Sequence, residues 1–122
     1  MMSHIDAEKR GRFAESLCVA LLWMTGWRIM ERRMTGRRGS GLGEIDIVAR
    51  RGQVIAFIEV KARQNVTAAI ESITAIQRAR IARAADVYLQ RHPDLAVCDA
   101  RFDVMVLGRG LLPQRVADAW RP

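Results

Sequence analysis

The stretch from Gly43 to Arg63, GEIDIVARRGQVIAFIEVKAR, constrains the fold more than any other part of the chain. Ile45, Ile47, Val48, Ile55, Phe57, Ile58 and Val60 fall on both parities of two short runs. Residues of this type suit strands, and Arg51-Gly52-Gln53 between them suits a turn. The pattern predicts an antiparallel hairpin, Glu44 to Arg50 and Val54 to Arg63. A strand that is apolar on both faces has to be covered on both, which places this hairpin in the middle of a sheet with helices above and below.

The flanking segments supply those layers. Ile5 to Thr25 reads as a helix, capped by Ser3 or Asp6 and stopped by Gly26. Its predicted buried stripe is Phe13, Leu17, Ala20, Leu21 and Met24. Trp27 to Arg33 alternates as a strand. The next nine residues, Thr35 to Gly43, hold four glycines and two arginines and suit a mobile basic loop. Thr74 to Arg91 reads as a second helix, with Thr74 and Gln77 at capping-box spacing and His92-Pro93 at its end. Ile81, Ala82, Ala85, Tyr88 and Leu89 form its apolar face. Arg101 to Leu107 alternates with Phe102, Val104 and Val106 on one side. The tail from Leu111 to Trp120 suits either a short strand or a helical turn. The order αβββαβ predicts an α/β fold with a mixed four-stranded sheet flanked by helices, the fourth strand running parallel to a central one.

A chain of 122 residues supports one domain. Its core is expected over about residues 5–107, with 108–122 as a tail. No apolar run approaches the roughly 20 residues of a membrane helix, and the N-terminus has no secretory pattern. Cys18 and Cys98 are far apart and form no zinc motif, so two reduced thiols in a cytoplasmic protein are expected. The formal charge is +7, and residues 1–64 carry 12 basic against 7 acidic side chains. Such an excess points to a polyanion, with nucleic acid ahead of an anionic membrane surface. Arg28, Arg32, Arg33, Arg37, Arg38, Arg50 and Arg51 are expected to flank the acidic site described next.

Side chains alternate along a strand, so Glu59 and Lys61 share a face, and Glu44 and Asp46 share a face for the same reason. A hairpin brings Asp46 beside Glu59. Two carboxylates and an ammonium on one patch suit Mg²⁺, which takes oxygen ligands and keeps several waters. The bland alternative is a solvated strand face with cross-strand ion pairs, each worth about 0.2–1 kcal/mol. Charges between two strongly apolar strands are rarer than on an edge, and this favours the functional reading. Trp23, Trp27 and Trp120 read as core or interface, and His4 and His92 have no partners at useful spacing. Arg78 falls within the apolar stripe of its helix and has to reach water, a carboxylate or a phosphate.

The hairpin sequence resembles the signature of the YraN-like family, small bacterial proteins of the restriction-endonuclease-like (PD-(D/E)XK) superfamily, similar to Holliday-junction resolvases. Asp46, Glu59 and Lys61, with Val60 as spacer, fill its acid…Glu-x-Lys motif. Gly11-Arg-Phe-Ala-Glu15 resembles the family's first helix, whose glutamate joins the metal site, and Glu15 matches it. Arg80 to Ala85 and Arg101-Phe-Asp103-Val resemble its second helix and last strand. Ala14 stands where the family often has glycine, and Gln77 beside Arg78 where it usually has lysine.

The resemblance implies a restriction-endonuclease-like domain and a Mg²⁺- or Mn²⁺-dependent endonuclease acting on DNA, with branched or junction DNA as its substrate. Asp46, Glu59 and Glu15 would bind the metal, Lys61 would assist the chemistry, and Glu44 would support the site from outside. Arg32, Arg33, Arg37, Arg38, Arg63 and Arg78 would contact nucleic acid, and a homodimer is expected. The alternatives are a non-catalytic nucleic-acid-binding module with the same fold and, further off, a scaffold binding an acidic partner. A surface that only bound phosphates would gain nothing from acids beside it.

Overall fold

A computed structural model describes residues 4–35, 41–110 and 112–122; of residues 4–10 it describes the helical backbone. The elements run α1 (His4–Met24), β1 (Arg28–Met34), β2 (Ile45–Arg51), β3 (Val54–Ala62), α2 (Val66–Glu71), α3 (Ala75–Arg91), a 3-10 turn (Pro93–Val97), β4 (Asp99–Leu107) and β5 (Gln114–Trp120). The sheet order is β1-β2-β3-β4-β5, antiparallel except for the parallel β3–β4 pair. The α/β class, the central hairpin and the parallel crossover thus follow the sequence pattern.

The four-stranded sheet and the order αβββαβ do not hold. The tail adds a fifth strand, with Trp120 opposite Phe102 and the two rings stacked at 4.2 Å. Trp120 is buried, so the core extends past Leu107 to the end of β5. Polar Arg115 and Asp118 blurred the period of this segment. Helix α2 was also unmarked: it is six residues long, and Asn65 caps it by accepting the Ala68 N–H. Thr74 caps α3 as expected, accepting the Gln77 N–H at 3.1 Å.

Two apolar layers cover the sheet. Ile45, Val48, Ile55, Phe57, Val104 and Val106 pack against α2 and α3 through Ala69, Ile81, Ala85 and Tyr88. Ile47, Ala49, Ala56, Ile58 and Met105 pack against α1 through Cys18 and Leu22. The buried stripe of α1 is Ala14, Glu15, Cys18 and Leu22, rather than the predicted one. Phe13 and Met24 face outward, and Trp23 with them at 74% exposed. The helix carries two apolar stripes, and the sheet receives the one with smaller side chains near its middle, which lets α1 lie close.

Chain turns fix the layers. Gly26, at φ 91°, ends α1, with Gly26 N–H donating to Trp23 O and Trp27 N–H to Leu22 O. This is the left-handed helix stop that also packs Trp27 against Leu22. Gly52, at φ 59°, opens the two-residue turn between Arg51 and Val54. Gly43 passes so close to α3 that a Cβ there would lie 2.9 Å from the Ile81 nitrogen.

Candidate active site

The β2–β3 ladder is regular from Arg51↔Val54 to Ile47↔Ile58 and is not continued to Asp46. Ile45 and Ile47, two residues apart, belong to opposite apolar layers, so strand alternation breaks at Asp46. On β1, Met34 pairs with Ile45 and Arg32 with Ile47, which puts Arg33 at the level of Asp46. Arg33 has φ 51°, a left-handed conformation rare for a residue with a Cβ. Both strands therefore turn over at one level, and this aims two charged side chains at the same cleft.

That cleft, about 290 Å³, is lined by Gly11, Arg12, Glu15, Arg33, Glu44, Asp46 and Val60. Asp46 Oδ2 accepts the Val60 N–H at 2.8 Å, which anchors it to the strand that carries Glu59 and Lys61. Glu59 is buried, and its Oε2 is 3.7 Å from Lys61 Nζ, so these two share a face as the alternation requires. Glu44 is exposed at the rim.

Burial pushes the Asp46 carboxyl up to about 6, with Glu44 and Glu15 adding to the rise and the Val60 N–H and Lys61 opposing it. Burial, then the Asp46 charge, pushes Glu59 up to about 8, with Lys61 opposing. Two acids crowded in low dielectric cannot both ionise easily, so near neutral pH the pair retains a proton. Cys18, beneath them on α1, is pushed up to about 12 by burial and by Asp46 and Glu15, and is therefore an unreactive thiol.

Glu15 reaches the cleft, but both its oxygens are occupied. Arg32 Nε donates to Oε1 at 3.0 Å and Arg33 Nε to Oε2 at 2.8 Å. Consecutive residues of a regular strand point to opposite faces; the left-handed Arg33 lets both reach one carboxylate. Among the described residues, no three acidic, histidine or cysteine side chains stand together as a ready-made metal set. Asp46 and Glu59 still offer hard oxygen donors, the kind Mg²⁺ and Mn²⁺ take, and both are short of cationic partners. That donor set fits such an ion.

The remaining arginines divide. Arg63, at the end of β3, is exposed and lines a second groove of about 740 Å³ with Phe13, Ala62, Gln64, Leu107 and Arg109. Arg109 was not expected there; the signal was the parallel β4, which ends beside β3 and so delivers its following loop to Lys61 and Arg63. Arg78 packs against the Trp120 ring at 5.8 Å, on the α3 side of the core. Arg28 pairs with Arg50, and Arg51 stands at the hairpin turn, so these three do not flank the acids. They lie at the far end of β2, five residues or about 16 Å away. Arg37 and Arg38 lie outside the described residues. No helix among the described residues is long and apolar enough to cross a membrane.

Residues 14–107 match the profile of Uncharacterised protein family UPF0102. A UPF0102 protein of Paramagnetospirillum magneticum is 46% identical over 119 residues, covering 98% of this chain and 92% of its own. Those of Parvibaculum lavamentivorans and Rhizobium etli are 43% and 40% identical, covering 97% and 93% of this chain and 86% and 90% of theirs. The matched span includes Glu15, the whole hairpin and β4, and so every acidic residue of the cleft, and the chain belongs to the UPF0102 (YraN) family.

Proposed function

We propose that this protein is a divalent-cation-dependent endonuclease that hydrolyses DNA phosphodiester bonds, with branched or junction DNA as the substrate class and the cytoplasm as its location. The observation that carries this reading is geometric: half-buried Asp46, held by the Val60 N–H, and buried Glu59, 3.7 Å from Lys61. Acids so short of cationic partners call for a cationic ligand, and Asp46 and Glu59 are the residues to hold Mg²⁺ or Mn²⁺. Such an ion supplies charge for a phosphoryl oxygen and a more acidic water. Lys61 stabilises negative charge developing on the phosphate. Arg32, Arg33, Arg37, Arg38 and Arg63 grip the backbone, while Arg78, turned to Trp120, drops out of that surface. Phosphates of a bound strand compete with Glu15 for Arg32 and Arg33, which frees Glu15 to join the cation.

The test is a panel of linear, nicked, flapped and four-way DNA with Mg²⁺ or Mn²⁺. Wild type should cleave at least one substrate. Asp46→Asn should abolish cleavage while binding persists, with a slope of log K on log[salt] of roughly −3 to −4 for about four phosphates neutralised. Equal cleavage by Asp46→Asn would refute the assignment. Salt-dependent binding with no cleavage on any substrate would establish the second reading, a non-catalytic binding module. The Arg32–Glu15–Arg33 clamp favours that reading, because it withholds one carboxylate. A homodimer completes the proposal, and sedimentation at tens of micromolar, with and without DNA, tests it.

A further inference from the structure

On the α1 side of the sheet, α1 packs over β1, β2 and β3. The β4–β5 half of that face is polar. Arg101 and Asp103 alternate with Phe102 and Val104, so they share the face of Met105. Trp27 stands at the boundary, only 2% exposed. Around its indole gather three guanidinium groups: Arg51 at 4.7 Å from the ring centroid, Arg115 at 5.2 Å and Arg101 at 5.5 Å. They come from the ends of β2, β5 and β4, and nothing in the local sequence pattern requires them to meet.

The negative charge at this point is insufficient. Asp103 is fully buried, and its oxygens are already used: Arg101 donates to both, at 2.8 and 2.9 Å, and the Asp118 N–H donates to Oδ1 at 2.9 Å. Asp118's own carboxylate is paired with Arg121 at 2.7 Å. Arg51 donates to the Thr25 carbonyl, which carries no charge. Arg115 Nη1 is buried, makes no hydrogen bond among the described residues and comes no nearer than 3.9 Å to Asp103. Burial, Arg101 and Arg51 all lower the pKa of Arg115, with only Asp103 opposing. The Trp27 indole N–H is a second buried donor without an acceptor.

We infer that Arg51, Arg101 and Arg115 around Trp27 form a binding site for a phosphate oxyanion, separate from the Asp46–Glu59 cleft. An oxyanion takes several N–H donors at once, and guanidinium groups match its geometry. Partial burial of Arg101 and Arg115 raises the worth of their contacts over that of a solvated surface arginine such as Arg51. Two sources carry this chemistry, a nucleic acid backbone and a free phosphorylated small molecule.

The experiment titrates inorganic phosphate into the full chain at constant ionic strength, reading the arginine Nε–H resonances by NMR. Signals of Arg51, Arg101 and Arg115 should shift together. Arg115→Gln and Arg51→Gln should each weaken binding about tenfold, the loss of one charge-assisted contact. Arg91→Gln, an equal charge loss on exposed α3, should change it less than about twofold. If Arg115→Gln fails to fold, Arg51→Gln, at the exposed hairpin turn, still decides. Shifts spread over all arginines, or equal affinity in Arg51→Gln and Arg91→Gln, would overturn the site. In a second arm, a short oligonucleotide competes against a mononucleotide; whichever loses more affinity in Arg51→Gln names the source, and no loss for either overturns the proposal. Asp46→Asn should leave all these shifts intact, so failure of the nuclease reading and failure of this site are distinguishable.

Discussion

Asp46 and Glu59 at one end of β2–β3, and Asp103 on β4, are acids partly or wholly removed from water on the same sheet, yet their surroundings have opposite charge balance. The first pair has one amine at 3.7 Å and one backbone N–H, and both carboxyls are pushed up. Asp103 has a two-pronged arginine, a second arginine at 3.9 Å and a backbone N–H. One region holds more anion than its cations satisfy, and the other holds more cation than its anion satisfies. Burial alone therefore does not decide whether a carboxylate is structural or available to a ligand; the count of committed donors does.

The largest way to break this comparison is Asp103→Asn. It leaves Arg101 and Arg115 without their counter-charge beside Trp27 and should cost about 3 kcal/mol, the low end for breaking a buried pair, since both arginines still touch water. Urea unfolding measures it, and an unchanged midpoint would show that the carboxylate does not hold this cluster.

Glu59→Gln should act with the opposite sign. Without divalent cations, the native Glu59 holds its proton up to about 8, whereas the usual value is 4.5. Between those values the native state binds more protons than the unfolded state, so wild-type stability falls as pH rises. Glu59→Gln removes that loss. It should match wild type below the lower value and be the more stable above it, with the gap widening until the upper one is passed. Thermal unfolding across pH in a chelator reads the difference, and parallel curves would contradict the burial account. Adding Mg²⁺ should stabilise wild type and leave Glu59→Gln unmoved.

The smallest effect sharpens the picture at the clamp. Arg33 is left-handed at φ 51°, so Arg33→Gly should be more stable than Arg33→Ala by about 1 kcal/mol, although both release Glu15 equally. Equal stability of the two variants would mean that the backbone relaxes once the ion pair is gone.

Much of this was legible in the chain. The two apolar parities of Gly43 to Arg63 required a central hairpin covered on both sides, and the Glu59-x-Lys61 spacing required one face for both charges. These features depend on local period, which sequence carries directly. The buried stripe of α1 differs from the one its period predicts because the helix offers two apolar faces, and which one is buried depends on how closely it lies on the sheet. β5 is ambiguous in the sequence because Arg115 and Asp118, which serve the Asp103 network, interrupt its alternation.

The α/β class, the hairpin at its centre, the basic charge and the acid…Glu-x-Lys constellation are all written in local residue order. The closing of Arg32 and Arg33 on Glu15, the joint turning-over of β2 and β1 at Asp46 and Arg33, and the meeting of Arg51, Arg101 and Arg115 at Trp27 come from packing. The physical reason is distance along the chain. A strand's period states which way a side chain points, but which charges meet depends on where separately formed elements cross, and that is set by the packing of the whole sheet.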